Sequence, residues 1–401
     1  MENDLMKIKP SSRTELVQEY YFSHKLKQID EMRKAGANII NLGIGSPDLA
    51  PAKSVIEKLS EAAKLPDSHG YQSYNGIHAL REAFAEWYKK YFGVTLNPEN
   101  EILPLIGSKE GIMHISMAFL NVGDEVLVPN PGYPTYASVT KLVGGKIRFY
   151  KLKAHNNWYP DFEELENSDL SKVKMMWINY PNMPTGAKGD KKLFEKLIVF
   201  GHKHNILVCN DNPYSFILNN EYLSLLSVDG AKDIALELNS MSKSHNMAGW
   251  RIGMVAGHKD YISSIVKVKS NMDSGMFRPM QVAAVEALRS PESWYDLNNK
   301  TYSVRRKLVG NIMYKLDCTF DPNQSGLFLW GKIPQKYTSG EDLTETLLHK
   351  THIFITPGMV FGDQGNEYIR ISLCANENKL LEALERLEVF NKKRTRTEKN
   401  I

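Results

Sequence analysis

Cysteine is scarce in this sequence. Its three, Cys209, Cys318 and Cys374, stand far apart, with no C-x-x-C pair and no histidine at metal-ligand spacing. That excludes a disulfide framework and a thiolate metal site, and the three read as reduced core thiols. Long apolar runs are lacking too: none approaches the ~18 residues of a membrane span. The start, Met1-Glu2-Asn3-Asp4, offers no basic region followed by an apolar stretch, so the expectation is a soluble, cytoplasmic protein with no membrane partner. Nor is charge of one sign concentrated. The net charge is +4, and the one basic run, Lys392 to Arg396, reads as a solvated, mobile tail. Without basic residues clustered beside aromatics on one face, there is no case for a nucleic-acid partner.

What is present is ordinary globular material. With 42% hydrophobic and 24% charged residues over 401 positions, the chain can bury one large core and a smaller one. From about Leu49 to His258, short apolar runs alternate with helical patterns, the signature of an α/β fold with a mainly parallel sheet. Glu125 to Pro129, Val173 to Asn179, Ile206 to Asn210 and Ile234 to Asn239 read as buried strands with loops at their carboxyl ends, where open parallel sheets bind ligands. After Gly76, the spacing of Ile77, Leu80, Phe84, Trp87 and Tyr91 predicts an amphipathic helix whose polar face includes Arg81 and Lys89. Beyond about Ser290 the pattern changes. Helices over Ser303 to Leu316 and Glu377 to Phe390 flank strands such as Gly326 to Trp330 and Tyr368 to Cys374. The expected division is residues 49–290 as a large domain and 291–401 as a small one that also collects residues 1–48.

The stretch with most chemistry runs from Asn239 to Gly253, N-S-M-S-K-S-H-N-M-A-G-W-R-I-G. Ser240 and Arg251 are suited to phosphate oxygens, while Lys243 is suited to condensing with an aldehyde. A lysine alone is usually a solvated surface residue. His202-Lys203-His204 lacks a third ligand and reads as surface.

With these residues the chain resembles the class I aminotransferases, fold-type I enzymes that bind pyridoxal 5'-phosphate. The likeness extends through Asn41 to Asp48, Tyr71 to Gly76, Gly107 to Gly111, Pro131-Gly132-Tyr133-Pro134, Tyr180 to Gly186, Asp211-Asn212-Pro213-Tyr214 and Arg370 to Leu373. It implies a mainly parallel mixed sheet in a large domain beside a smaller α+β domain. It implies further that Lys243 holds the cofactor as an imine, that Asp211 pairs with the pyridine nitrogen, and that Asn182 and Tyr214 donate to the ring oxygen. Tyr133 would stack on the ring. Ser108, Lys109, Ser240 and Arg251 would hold the phosphate at a helix start, and Tyr71 would reach it from a neighbouring subunit of a homodimer. Arg370 would grip the substrate's α-carboxylate, with Gly45 and Asn182 close by.

The implied activity moves an amino group between an amino acid and a 2-oxo acid, with Lys243 as both anchor and proton carrier. A carbon-sulfur lyase or cyclopropane-forming synthase of the same fold is the alternative. A cofactor-binding regulator is disfavoured, because the enzyme pattern starts too early for an attached DNA-binding domain. The wording is nearest the branch of aspartate, alanine and LL-diaminopimelate aminotransferases. It departs at Tyr180-Pro181-Asn182-Met183, where many relatives read Asn-Pro-Asn-Asn, and at Ser244-His245. Whether Arg278 or His245 contributes to specificity stays open, as do the donor and acceptor.

Overall fold

A computed structural model of the protein describes residues 8–398, with side chains described as far as Lys393. The described residues form twelve strands: β1 (Ile40–Asn41), β2 (Ile102–Leu105), β3 (Glu125–Asn130), β4 (Lys146–Lys151), β5 (Val173–Ile178), β6 (Leu207–Asp211), β7 (Ala235–Ser240), β8 (Gly253–Gly257), β9 (Phe328–Lys332), β10 (Ile353–Phe354), β11 (Thr356–Pro357) and β12 (Tyr368–Ser372). Seven make the central sheet, in the order β2-β8-β7-β6-β5-β3-β4. The five strands β7, β6, β5, β3 and β4 run parallel, and β8 is antiparallel to both its neighbours. The fold is therefore α/β with a mostly parallel mixed sheet.

Alternation along each strand explains why these segments are apolar throughout. Met175, Trp177, Leu207, Cys209, Leu236 and Leu238 face one core, while Met176, Ile178, Val208 and Ala235 face another on the opposite side. A strand buried on both faces has no polar period to show. Helices Pro134–Leu142 and Lys191–His204 make the crossovers that keep neighbours parallel. The second is capped by Asp190, whose carboxylate accepts from the Leu193 N–H at 2.6 Å, and stopped by left-handed Asn205.

A third core gathers Phe22, Ile29, Ile39 and Leu42 from the start of the chain with Tyr302, Val309, Leu329, Ile369 and Leu387 from its end. Two pairings place these segments: β1 runs parallel to β10, and β12 lies between β11 and β9 in an antiparallel sheet.

Three expectations need correction. Helix His78–Phe92 buries Arg81 rather than exposing it, because the loop after the helix folds back so that Pro98 O accepts its Nε–H at 2.6 Å, while Gly76 O accepts from Nη1 at 2.8 Å. The helix expected from Ser303 begins earlier, as Glu292–Lys315. The backbone of helix Glu377–Glu398 runs on through the basic segment read as a mobile tail, docked through Leu380, Ala383 and Leu387. Side chains beyond Lys393 lie outside the described residues. All three cysteines are free; Cys209 and Cys318 are buried and Cys374 is half-buried. No helix among the described residues is long and apolar enough to cross a membrane.

Candidate active site

The carboxyl ends of β3, β5, β6 and β7 open on one cavity of about 730 Å³. Parallel strands deliver their last residues to the same edge, so four loops distant in sequence meet there. Asp211 ends β6 and is buried. The Tyr136 hydroxyl donates to its Oδ2 at 2.9 Å, while Oδ1 has no partner among the described residues. Burial pushes its pKa up to about 6, against the Tyr136 hydrogen bond and the charge of Lys243. A carboxylate oxygen left unpartnered at a cavity wall is a place for a cationic N–H.

β7 ends at Ser240, whose hydroxyl accepts the Ser242 N–H at 3.2 Å and starts the short helix Met241–Ser244. That turn carries Lys243 into the cavity, where Nζ donates to Gly45 O at 2.7 Å. Burial lowers the pKa of Lys243; the charges of Arg370 and Arg251 act in the same direction, whereas Cys374 and Asp211 oppose them. Gly45 has no room for a side chain, since a Cβ there would lie 2.1 Å from the Phe328 ring.

Helix Ser108–Phe119 starts at the cavity, and its first N–H groups have no partner within the helix. Gly107, before it, has φ +81°, and a Cβ on it would lie 2.1 Å from Nη2 of Arg251. The absence of that atom lets the guanidinium come down onto the helix start beside Ser108 and Lys109, an anion cradle by construction. Desolvation and Arg251 lower the pKa of Lys109. Tyr133 meets Tyr136 edge-on at 5.5 Å, and burial raises the pKa of Tyr214 on the opposite wall.

Arg370, on β12, is buried with no carboxylate beside it among the described residues. Its guanidinium carbon lies 3.8 Å from the Phe328 ring centre and 4.5 Å from that of Phe361. Nη2 donates to Gly43 O at 2.9 Å and Nη1 to the Met183 sulfur at 3.2 Å, while Nε has no partner among the described residues. Burial lowers its pKa to about 10, so it keeps its charge at neutral pH. A buried cation without a counter-ion asks for an anion from outside.

Gly45, Ser108, Lys109, Tyr133, Asp211, Tyr214, Ser240, Lys243, Arg251 and Arg370 thus line one cavity. Two expected residues do not. Asn182 spends its amide on its own turn: Oδ1 accepts from the Thr185 hydroxyl at 2.7 Å, and Nδ2 donates to Asn179 O at 3.2 Å. Met183 lines the wall instead. Tyr71 is 93% exposed, outside the cavity. Arg278 also lies elsewhere, paired with Asp67, and His202 donates to Gly230 O at 3.0 Å. His245 is buried between the Ser244 hydroxyl at 2.8 Å and the Tyr295 hydroxyl at 3.0 Å, and burial pulls its pKa down to about 3, which keeps it neutral.

Sequence reasoning missed Tyr136, Asn179, Met183, Tyr20, Phe22 and Leu26. Asn179 is a brace: its Nδ2 donates to the Asp211 carbonyl and its Oδ1 accepts the Met183 N–H at 2.7 Å. A polar residue closing a buried strand was the available signal. The others had none, being apolar or aromatic residues of common spacing.

Residues 37–387 match the sequence profile of the family described as aminotransferase class I and II. The chain belongs to that family. It is 41% identical over 387 residues to the LL-diaminopimelate aminotransferase of Dehalococcoides mccartyi, covering 96% of this chain and all of that one. To the enzyme of the same name from Aquifex aeolicus it is 39% identical, with 94% and 98% covered. Among solved structures, apo-BacF from Bacillus subtilis superposes with a TM-score of 0.92 at 34% identity, covering 96% and 99%. An aromatic aminotransferase from Pyrococcus horikoshii gives 0.84 at 30%, covering 92% and 99%. The protein is a pyridoxal-phosphate-dependent aminotransferase of fold type I. Its cavity fits that cofactor: Asp211 Oδ1 lacks the N–H that a pyridinium offers, and the Gly107–Arg251 approach makes a phosphate cradle.

Proposed function

We propose that this aminotransferase carries its cofactor on Lys243 and works on α-amino acids held by Arg370. The observation that carries this reading is one cavity holding an amine of lowered pKa, an unpartnered buried carboxylate oxygen and a buried guanidinium without a counter-ion. Bound pyridoxal phosphate supplies a sink for the electrons released when a bond at Cα breaks. Asp211 would hold a proton at the ring nitrogen, with Tyr136 fixing the carboxylate. Ser108, Lys109, Ser240 and Arg251 would hold the phosphate, Tyr133 would flank the ring, and Tyr214 would donate to the ring oxygen.

Arg370 orients the substrate by its carboxylate so that the Cα–H faces Lys243. That amine, kept neutral more readily by its surroundings, is the base placed to take the proton from the substrate Cα and give it back. The exposed Tyr71 fits a homodimer in which it completes the phosphate site of the partner copy; Tyr74, Met272 and Phe277, also exposed, are apolar surface for such contact. We read the chain as a large unit, 49–290, beside a smaller one, 291–401, joined by residues 1–48. The place of action is the cytoplasm, in amino-acid metabolism.

The test is a panel of single amino acids, including LL-diaminopimelate, given to the cofactor-loaded protein with and without 2-oxo acids. Turnover that requires the 2-oxo acid supports the reading. Release of ammonia and pyruvate from cystathionine without an acceptor would instead identify a lyase.

A further inference from the structure

Among the groups around the Arg370 guanidinium is a thioether, that of Met183. Met183 follows Asn182 in the turn after β5, its N–H fixed by Asn179 and its side chain 7% exposed in the cavity wall. The backbone turn makes residue 182 the one that stabilises the loop and residue 183 the one that faces the site. The Met183 sulfur lies 3.2 Å from Nη1 of Arg370; the rings of Phe22, Phe328 and Phe361 flank the guanidinium, and Tyr20 and Tyr214 line the same cavity near enough to act on its charge. A thioether accepts weakly and donates nothing, and a phenyl ring donates nothing.

We infer that Met183 is an affinity-setting residue for the substrate carboxylate: it leaves the α-carboxylate end of the site with Arg370 as its only charged donor and adds no donor of its own. The charge that meets the carboxylate then comes from one guanidinium, flanked by three phenylalanine rings. The fork is pre-set: Gly43 O holds Nη2, and the sulfur holds Nη1 with a bond weak enough for an arriving carboxylate to replace. The inference rests on the assignment of Arg370 as the carboxylate site.

A donor placed at residue 183 adds one hydrogen bond to a carboxylate, which at about 1.4 kcal/mol per tenfold is about a ten-fold gain in affinity. The experiment measures the dissociation constant of propanoate, followed by the visible absorbance of the cofactor-loaded enzyme, together with KM and kcat for an amino-acid substrate. Met183→Asn is expected to lower the propanoate constant and KM about ten-fold with kcat changed much less, because a bond made equally in ground and transition states moves KM alone. Met183→Leu brings no donor and is expected to lower neither. If Asn does not fold, Met183→Ser supplies a hydroxyl donor for the same titration. Asn or Ser that fails to tighten propanoate overturns the inference, as does Leu that tightens it equally. Arg370→Gln separates the two claims: should it leave propanoate binding intact, the assignment of Arg370 itself fails.

Discussion

Asp211→Asn should make the cofactor-free protein more stable at neutral pH while removing most of its activity. In the cavity wall, burial raises the Asp211 pKa from 3.8 to about 6. At ~1.36 kcal/mol for each pKa unit, holding this group ionised in the folded chain costs about 3 kcal/mol. A carboxyl whose folded pKa lies above its unfolded one binds more protons when folded, so stability falls as pH rises from about 4 through about 6 and stays low above that. Asparagine removes the charge and still accepts from the Tyr136 hydroxyl, which bonds Oδ2 in the native protein. Its new N–H₂ sits where Oδ1 has no partner, so the net gain at pH 7.5 is smaller, about 1–2 kcal/mol. Urea unfolding of cofactor-free protein at pH 4 and 7.5 measures it. The difference between variant and native protein should be present at 7.5 and nearly vanish at 4. A variant less stable than native at pH 7.5, or equally displaced at both pH values, would refute the reasoning. With cofactor bound, the ring nitrogen loses its charged partner, and kcat should fall about 10²–10³-fold.

Other perturbations test other parts. Arg370→Lys keeps a charge but loses the two-pronged geometry, and KM should rise at least about ten-fold in steady-state kinetics. Gly45→Ala places a Cβ 2.1 Å from the Phe328 ring, which must shift; about 1–3 kcal/mol of stability should be lost in thermal or urea unfolding. Tyr71→Phe removes one hydroxyl from an exposed side chain; equilibrium dialysis should show weaker cofactor binding if a partner copy uses it, and no change if none does.

The sequence disclosed the chemistry better than the walls. Lys243 and Arg251 were legible through the run Asn239 to Gly253, and Asp211 through Asp211-Asn212-Pro213-Tyr214, the stretches that carry the resemblance to the family. Their meeting followed from topology, since successive parallel strands must end on one edge. An asparagine between prolines serves a turn as well as a ligand, and only the backbone path shows that Asn182 bonds within its turn while Met183 lines the cavity. Arg81 misled because helical period cannot foresee a loop folding back over a polar face. Tyr20, Phe22 and Leu26 reach the cavity from a segment about two hundred residues before Lys243, and nothing local marks such a contact. Their residue types suit core packing equally well.

The central claim, that Lys243 carries the cofactor, has a direct chemical test. Borohydride reduction of the cofactor-loaded protein fixes the lysine-linked cofactor as a stable amine, and peptide mass spectrometry then locates it. The account predicts the pyridoxyl mass on the peptide containing Lys243 and its loss in Lys243→Ala. Labelling confined to another lysine, Lys109 included, would contradict it.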